Sequence, residues 1–159
     1  MNMSRLKQTL SIVFMSAFTG GCLVVSLVMV PDWRKMEPDA FLDWFSKNGP
    51  RLGLTMLPLE AVGSLFAVLA FVDAMRRKSD SRAIWGLSSI CIVATLVLLP
   101  VYFAQANARM LNKTIEVSEV GAELESWSNW QWLRTVLAAL AVALGSWGWR
   151  REQAKHAPK

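Results

Sequence analysis

Two ionisable side chains, Glu60 and Arg134, lie within segments that are otherwise apolar. An ionised group inside a membrane costs several kcal/mol unless it is paired or hydrated. A bidentate pair between a carboxylate and a guanidinium would satisfy both groups. Two interpretations of Glu60 are open: a structural partner of Arg134 that fixes helix packing, or a general base beside an arginine that stabilises an oxyanion. Both residues are candidates for catalysis.

Six further polar and aromatic side chains lie at the edges of the apolar segments and are candidates for substrate binding. They are Tyr102, Gln105, Asn107, Trp127, Asn129 and Trp130. Their amides could hydrogen-bond ligand oxygens, and the indole rings could stack on a flat ring. On a helix Tyr102, Gln105 and Arg109 share one face, and Asn107 points elsewhere. For Tyr102 and Arg109 a role as interfacial anchors is the favoured interpretation.

The elements that carry these side chains are predicted to be membrane helices. Of the 159 residues 53% are hydrophobic and 18% are charged, which is too apolar for an ordinary soluble domain. Crossing the hydrocarbon core takes about 20 apolar residues. Four segments reach that length: 9–30, 52–72, 83–103 and 130–149. We predict an all-α integral membrane four-helix bundle that forms one domain.

Small residues indicate that both charged side chains face the interior of this bundle. They follow at helical spacing: Gly63, Ser64 and Ala67 after Glu60, and Ala138, Ala141, Gly145 and Gly148 after Arg134. Such stripes let neighbouring helices approach closely. We therefore expect a polar pocket in the half of the bundle that holds Glu60 and Arg134.

The distribution of Lys and Arg predicts the orientation of the chain in the membrane. Basic residues cluster before the first span, between the second and third spans, and in the tail 150–159, so both termini are predicted to be cytoplasmic. The other two connections are charge-balanced or acidic and are predicted to lie outside, with the glutamates of the third solvated. Anionic lipid headgroups are the expected partners of the basic clusters, rather than nucleic acid. The expected location is a bacterial cytoplasmic (inner) membrane.

The first outer connection is predicted to contain a short interfacial helix. Pro38 suits a first helical position, and the aromatic residues after it fall on one stripe. This helix would lie on the membrane surface or form a lid over the bundle.

At the N-terminus, a secretory signal or a lipoprotein signal ending at Cys22 is the alternative to a first span. The span is the better interpretation because the apolar run is long and continues past Cys22.

Other kinds of chemistry lack the residues that they need. The one histidine, His156, lies in the tail, and no carboxylate pair or Cys/His cluster lies in a span, so no metal or other cofactor is expected. Cys22 and Cys91 lie at different depths in different predicted helices, so we expect packed thiols rather than a disulfide. Without a C-x-x-C motif, a thiol oxidoreductase has little support. A glycine-rich phosphate loop is also missing.

A family resemblance appears at the candidate site. The run Asn107-Ala-Arg-Met-Leu111, followed by Trp127, Asn129 and Arg134-Thr-Val-Leu-Ala, resembles the hallmark of the anthrone-oxygenase-like family of small four-helix membrane proteins. The resemblance covers most of the chain. By it, Asn107, Trp127 and Arg134 match positions that are typical of the family.

The resemblance implies an activity. The few characterised fungal members are linked to cofactor-independent oxygenation of anthrones to anthraquinones, in which the substrate carbanion itself meets dioxygen. Some members carry a histidine just before the arginine, where this chain has Asn129 or Trp130 nearby. Proton abstraction would then fall to Glu60, a role that the family does not assign.

Three functions follow from these observations. The first is binding, with or without oxygenation, of a flat hydrophobic phenolic or quinone-like molecule in the polar pocket. The second is transport of a small molecule, with Glu60 as a protonatable carboxylate. The third is a structural or accessory role, in which the Glu60–Arg134 pair only locks the bundle.

Overall fold

Four long helices make up the protein in the computed structural model, which describes residues 3–154. They are α1 (Met3–Trp33), α2 (Pro38–Arg76), α3 (Arg82–Leu111) and α4 (Val120–Ala154). Of the described residues 91% are helical and none is in a strand. The prediction of an all-α four-helix fold is confirmed.

Helices α1, α2 and α3 are each long and apolar enough to cross a membrane. Helix α4 has the length but is less apolar, because its first half carries glutamates, amides and Arg134. A fourth crossing at 130–149 therefore stays a prediction, as does the cytoplasmic location of both termini. In the predicted tail 150–159, Arg150 to Ala154 continue α4, and residues 155–159, with His156, lie outside the described part of the chain.

The helices form a square. Helix α1 packs against α2 and α4, and α3 packs against the same two helices, so α2 and α4 lie on one diagonal. Short connections at 34–37 and 77–81 make consecutive helices antiparallel neighbours. The longer connection between α3 and α4 contains a 3₁₀ turn, Val117–Glu119.

Small residues allow the bundle to close at its centre, as their spacing predicts. Gly63, Ser64 and Ala67 of α2 are buried, and so are Ala138, Ala141, Gly145 and Gly148 of α4. A Cβ atom on Gly63 would lie 3.2 Å from the backbone nitrogen of Met15. At this point α2 therefore packs on the backbone of α1.

Two helices change their winding in the half of the bundle that holds the connection 34–37. Val25–Met29 of α1 and Leu99–Phe103 of α3 are π-helical. Pro31 follows the first segment by two residues and Pro100 lies within the second. Proline has no backbone N–H to donate, and π segments are frequent at functional sites. Pro31 does not end α1 as the first predicted span implied, because the helix continues to Trp33.

The structure does not contain the separate interfacial helix. Residues 38–47 form the first turns of α2, which continues through Pro50 and Pro58 to Arg76. Phe41, Leu42 and Phe45 are buried with Trp33 in a cluster between the helices. The aromatic stripe thus faces the bundle, because burial against α1 replaces contact with lipid.

A polar cluster ties the helices together at the opposite end of the bundle. Its centre is Glu152 of α4. It accepts hydrogen bonds from Gln8 Nε2 at 2.9 Å, Arg77 Nη2 at 3.0 Å and Ser79 Oγ at 2.9 Å. Burial raises the pKa of the Glu152 carboxyl, but these hydrogen bonds and the Arg77 charge outweigh burial and lower the pKa overall.

The Glu152 cluster predicts a loss of stability in acid. A carboxylate with a lowered folded-state pKa stabilises the fold above its ordinary pKa of about 4.3, and this contribution is lost as the pH falls through the lowered value. Glu152→Gln should therefore reduce stability by about 1–3 kcal/mol at neutral pH and weaken the acid dependence. Thermal unfolding in detergent across this pH range measures both effects. The exposed neighbour Arg151→Gln is the control, and equal acid dependence in the two variants would contradict the prediction.

Candidate functional site

Glu60 and Arg134 form a salt bridge across the diagonal of the bundle. The Arg134 Nε donates to Glu60 Oε1 at 3.3 Å, and Nη2 donates to Oε2 at 2.5 Å. Glu60 is 0% exposed and Arg134 is 8% exposed. The predicted bidentate pair is confirmed, and it joins α2 to α4, whose backbones barely approach each other.

Aromatic rings from the other two helices contact the same guanidinium. The Arg134 Cζ atom lies 5.0 Å from the ring centroid of Phe18 on α1 and 5.1 Å from that of Phe103 on α3. A desolvated cation–π contact contributes about 2 kcal/mol, which offsets part of the cost of burying the charge. All four helices thus meet at Arg134.

A cavity of about 200 Å³ adjoins the pair on the side of the 34–37 connection. Its walls are mostly apolar: Val25, Trp33, Phe45, Gly49, Leu52, Gly53, Met56, Leu57, Leu99 and Trp127. Asn107, Gln131 and Arg134 supply its polar lining. Pockets for drug-sized ligands measure roughly 300–1,000 Å³, so this cavity suits a small ring system.

The polar lining of the cavity presents mainly N–H donors. Asn107 Oδ1 accepts a hydrogen bond from Trp127 Nε1 at 2.9 Å. An indole nitrogen can only donate, so the Asn107 oxygen must face it and the amide N–H groups remain for the cavity. The bonds to Glu60 engage Arg134 Nε and Nη2 and leave Nη1. Gln131 Nε2 makes one long contact, 3.5 Å to the carbonyl oxygen of Cys22.

The carboxylate of the pair is not part of the cavity wall. Both Glu60 oxygens accept from Arg134, and none of the described lining residues is acidic. The cavity is therefore lined by the cationic partner of the pair, Arg134, and not by the anionic partner, Glu60. Arg134 can contact a ligand directly, whereas Glu60 acts on it only through Arg134.

Two of the predicted binding residues pack against each other outside the cavity. The rings of Tyr102 and Trp130 stack with centroids 5.2 Å apart and planes inclined by 16°. The Tyr102 hydroxyl donates to Glu123 Oε1 at 2.6 Å, and Arg109 Nη1 donates to Glu123 Oε2 at 3.1 Å. These residues hold α3 against α4. The glutamates of this connection were predicted to be solvated, and for Glu123 that prediction is wrong, because its carboxylate is hydrogen-bonded to Tyr102 and Arg109.

The other two predicted amides, Gln105 and Asn129, are exposed and do not line the cavity. Each lies two residues before an amide that does, Asn107 on α3 and Gln131 on α4. At about 100° per residue, two positions turn a side chain to nearly the opposite face of a helix. Of the six predicted binding residues, the structure places Asn107 and Trp127 in the wall of the cavity and these two amides outside it.

Several site residues were not predicted from the sequence. Gln131 lies between Trp127 and Arg134 at the helical spacing four and seven, so periodicity could have identified it. Phe18, Phe103 and Trp33 carry no comparable signal, because an aromatic residue in a span is ordinarily part of the core.

Cys22 and Cys91 are free thiols. Between Met3 and Ala154, His, Cys, Asp and Glu side chains form no group of three that could hold a metal ion.

Ser26 Oγ and Thr135 Oγ1 lie 3.1 Å apart and connect α1 to α4, and Thr135 also donates to the Gln131 carbonyl oxygen at 2.8 Å. This network fixes the backbone that carries Gln131.

No protein-family model matches the chain, and comparisons with curated proteins and with solved structures also gave no match. The resemblance to the anthrone-oxygenase-like family stays a prediction.

The ion pair predicts a non-additive effect on stability. Glu60→Met leaves a buried guanidinium without its counter-ion, and Arg134→Met leaves a buried carboxylate, so each should cost about 3–5 kcal/mol. The double variant removes both charges and should recover most of that loss. Unfolding of detergent-solubilised protein by sodium dodecyl sulfate, followed by circular dichroism, measures the three values. Wild-type stability in Glu60→Met would contradict the assignment.

Proposed function

We propose that this chain is an integral membrane protein that binds a flat, hydrophobic, oxygen-bearing ring, such as a quinone or a phenol, in the cavity beside Arg134. The observation that carries the proposal is the chemistry of the lining: apolar walls with N–H donors from Asn107, Gln131 and Arg134. Such a site recognises a ligand whose polar atoms are hydrogen-bond acceptors.

The charge of the lining favours oxygen ligands over amines. Arg134 faces the cavity, and the Glu60 carboxylate that balances its charge lies behind it. A protonated amine would meet the guanidinium without an acid in the wall. A carbonyl or phenolate oxygen would instead accept from the guanidinium and from the two amides, and such charge-assisted bonds are the stronger ones.

The aromatic lining suits a planar ligand. Trp33 and Trp127 both line the cavity and contact each other edge to face, with centroids 5.5 Å apart and planes inclined by 70°. Rings held by their neighbours offer a flat surface at low entropic cost, and offset stacking contributes about 0.5–1.5 kcal/mol beyond apolar burial. The hydrogen bond from Trp127 to Asn107 holds one of these rings in place.

Oxygenation is the activity that the resemblance adds to binding. In it an anthrone CH₂ becomes a carbonyl, with one oxygen atom of dioxygen retained and the other released as water. Arg134 would stabilise the enolate oxygen of the carbanion. Glu60 has no direct path to the substrate, so the proton would leave to a base outside the described lining or to water.

The membrane location is part of the proposal. The three apolar helices support a membrane protein, and the positions of Lys and Arg support a cytoplasmic location for both termini. A bacterial inner membrane is the location that we propose. Under this orientation the cavity lies in the outer half of the bilayer. Protease accessibility of tags on the two termini in inverted membrane vesicles tests it, and a protected terminus would overturn it.

Two amides on one turn of α4 give a matched test of ligand binding. Gln131 lines the cavity, and Asn129 is exposed and does not. Loss of one hydrogen bond costs about 1–1.5 kcal/mol, so Gln131→Leu should weaken binding of menadione about tenfold. Asn129→Leu should bind as the wild type does. Titration of the protein in nanodiscs, followed by thermal stabilisation, measures both affinities.

The same screen distinguishes the alternatives. Stabilisation by hydrophobic amines and not by quinones or anthrones would favour transport of a cation. No stabilisation by any of these compounds would leave the structural role of the Glu60–Arg134 pair. Oxygen uptake with anthrone in the wild type that is abolished in the double variant Glu60→Met with Arg134→Met, whose unfolding shows that it is folded, would add catalysis to binding.

A further inference from the structure

The cavity is closed at its two ends and open at one side. Trp33, Phe45 and Trp127 cover the end away from the ion pair and are only 2%, 4% and 6% exposed. They contact one another edge to face through Trp33. Arg134 closes the other end. In contrast, Leu57 lines the same cavity and is 48% exposed, and Gly53 beside it is exposed as well.

The open side faces α3. Gly53, Leu57 and Ser64 are four and seven residues apart, so they share one stripe of α2. Ser64 Oγ donates to the carbonyl oxygen of Ile92 on α3 at 3.5 Å. The stripe is therefore directed at α3, and the exposed cavity residues lie between these two helices.

Helices α2 and α3 meet on both sides of this opening. On one side Ser64 contacts Ile92. On the other, a Cβ atom on Gly49 would lie only 3.2 Å from Leu111 Cδ2. Between Gly49 and Ser64, α2 rises roughly 22 Å. The opening is thus a window framed by helix contacts, and it is not a separation of the whole helix pair.

The window lies at the depth of lipid. Gly53 and Leu57 belong to an apolar helix that is long enough to span a membrane, within the predicted crossing 52–72. Leu54, which is 77% exposed, points outwards beside them, and the hydroxyl of the exposed Thr55 donates to the Arg51 carbonyl oxygen of its own helix at 2.9 Å. An opening at this level communicates with acyl chains rather than with water.

We propose that the ligand enters sideways from the bilayer through this window, which Gly53 and Leu57 of α2 and Leu99 of α3 border, and that it is a ring with a lipid tail. This inference rests on the proposed function and defines its ligand class. A cavity of about 200 Å³ holds the ring, and the tail stays in the membrane. Gly53 has no side chain, so it leaves its part of the aperture clear.

Gly53 offers a clean way to close the window. A Cβ atom at this position meets no atom within 4 Å, so a larger side chain starts into open space at the border of the window. Leucine also favours helix over glycine by about 0.8 kcal/mol, so folding is retained. Gly20 of α1 is a matched control, since it is exposed, has the same free space and does not line the cavity.

Photolabelling from the bilayer tests the window without any ligand. Protein in lipid vesicles is irradiated with a small apolar aryl diazirine, and labelled residues are identified by mass spectrometry. Wild type and Gly20→Leu should be labelled at cavity residues such as Met56 and Gln131. In Gly53→Leu this labelling should fall several-fold relative to Leu54, which faces lipid in every variant.

Either of two results would overturn the window: unlabelled cavity residues in wild type, or equal labelling in Gly53→Leu and Gly20→Leu. Because the diazirine is not the ligand, these results do not depend on quinone binding. Lateral labelling without menadione binding would overturn the proposed function and leave the window standing. Menadione binding without lateral labelling would do the reverse. Labelling of Leu54 and an unchanged unfolding temperature show that each variant is folded.

Discussion

The structure depends on one charge pair in a place where charge is costly. Arg134 brings the guanidinium, Glu60 neutralises it, and Phe18 and Phe103 cover its faces. Because these four residues come from four helices, satisfying the charge requires the whole bundle to assemble. Apolar packing in a membrane discriminates poorly between helix registers, since lipid tails are as apolar as leucine. A single polar contact on the diagonal supplies the register that apolar packing leaves undefined.

The cavity follows from the same contact. Small residues bring α1 to α2 and α3 to α4 closely in the middle of the bundle, while bulky aromatic residues fill the end near the 34–37 connection. Between these regions α2 carries Gly53 and two prolines, and α3 carries its π segment. The side chains of α2 and α3 in these segments leave the cavity unfilled. The unfilled volume therefore lies directly against the guanidinium.

Composition and periodicity predicted most of the architecture. Apolar runs identified the four helices, and small-residue spacing identified the buried faces of α2 and α4, because both signals are local. The contact between Glu60 and Arg134 was predictable since each has few alternatives in a membrane. The first turns of α2 were not, because an aromatic stripe packs equally well on lipid or on Trp33. Periodicity also could not separate Asn107 from Gln105 as the cavity residue, since the choice depends on how α3 is rotated against α4.

The separation of the ion pair along the chain has a consequence for biogenesis. The partners are 74 positions apart, and translation proceeds at about 5–20 residues per second. The newly made α1–α2 hairpin must wait for several seconds before the last helix arrives with its arginine. During that time Glu60 has no counter-ion, so water or another polar group must satisfy its carboxylate until the last helix arrives. A chain truncated before the fourth helix would never form the buried pair, which makes the C-terminal segment the part that completes the bundle.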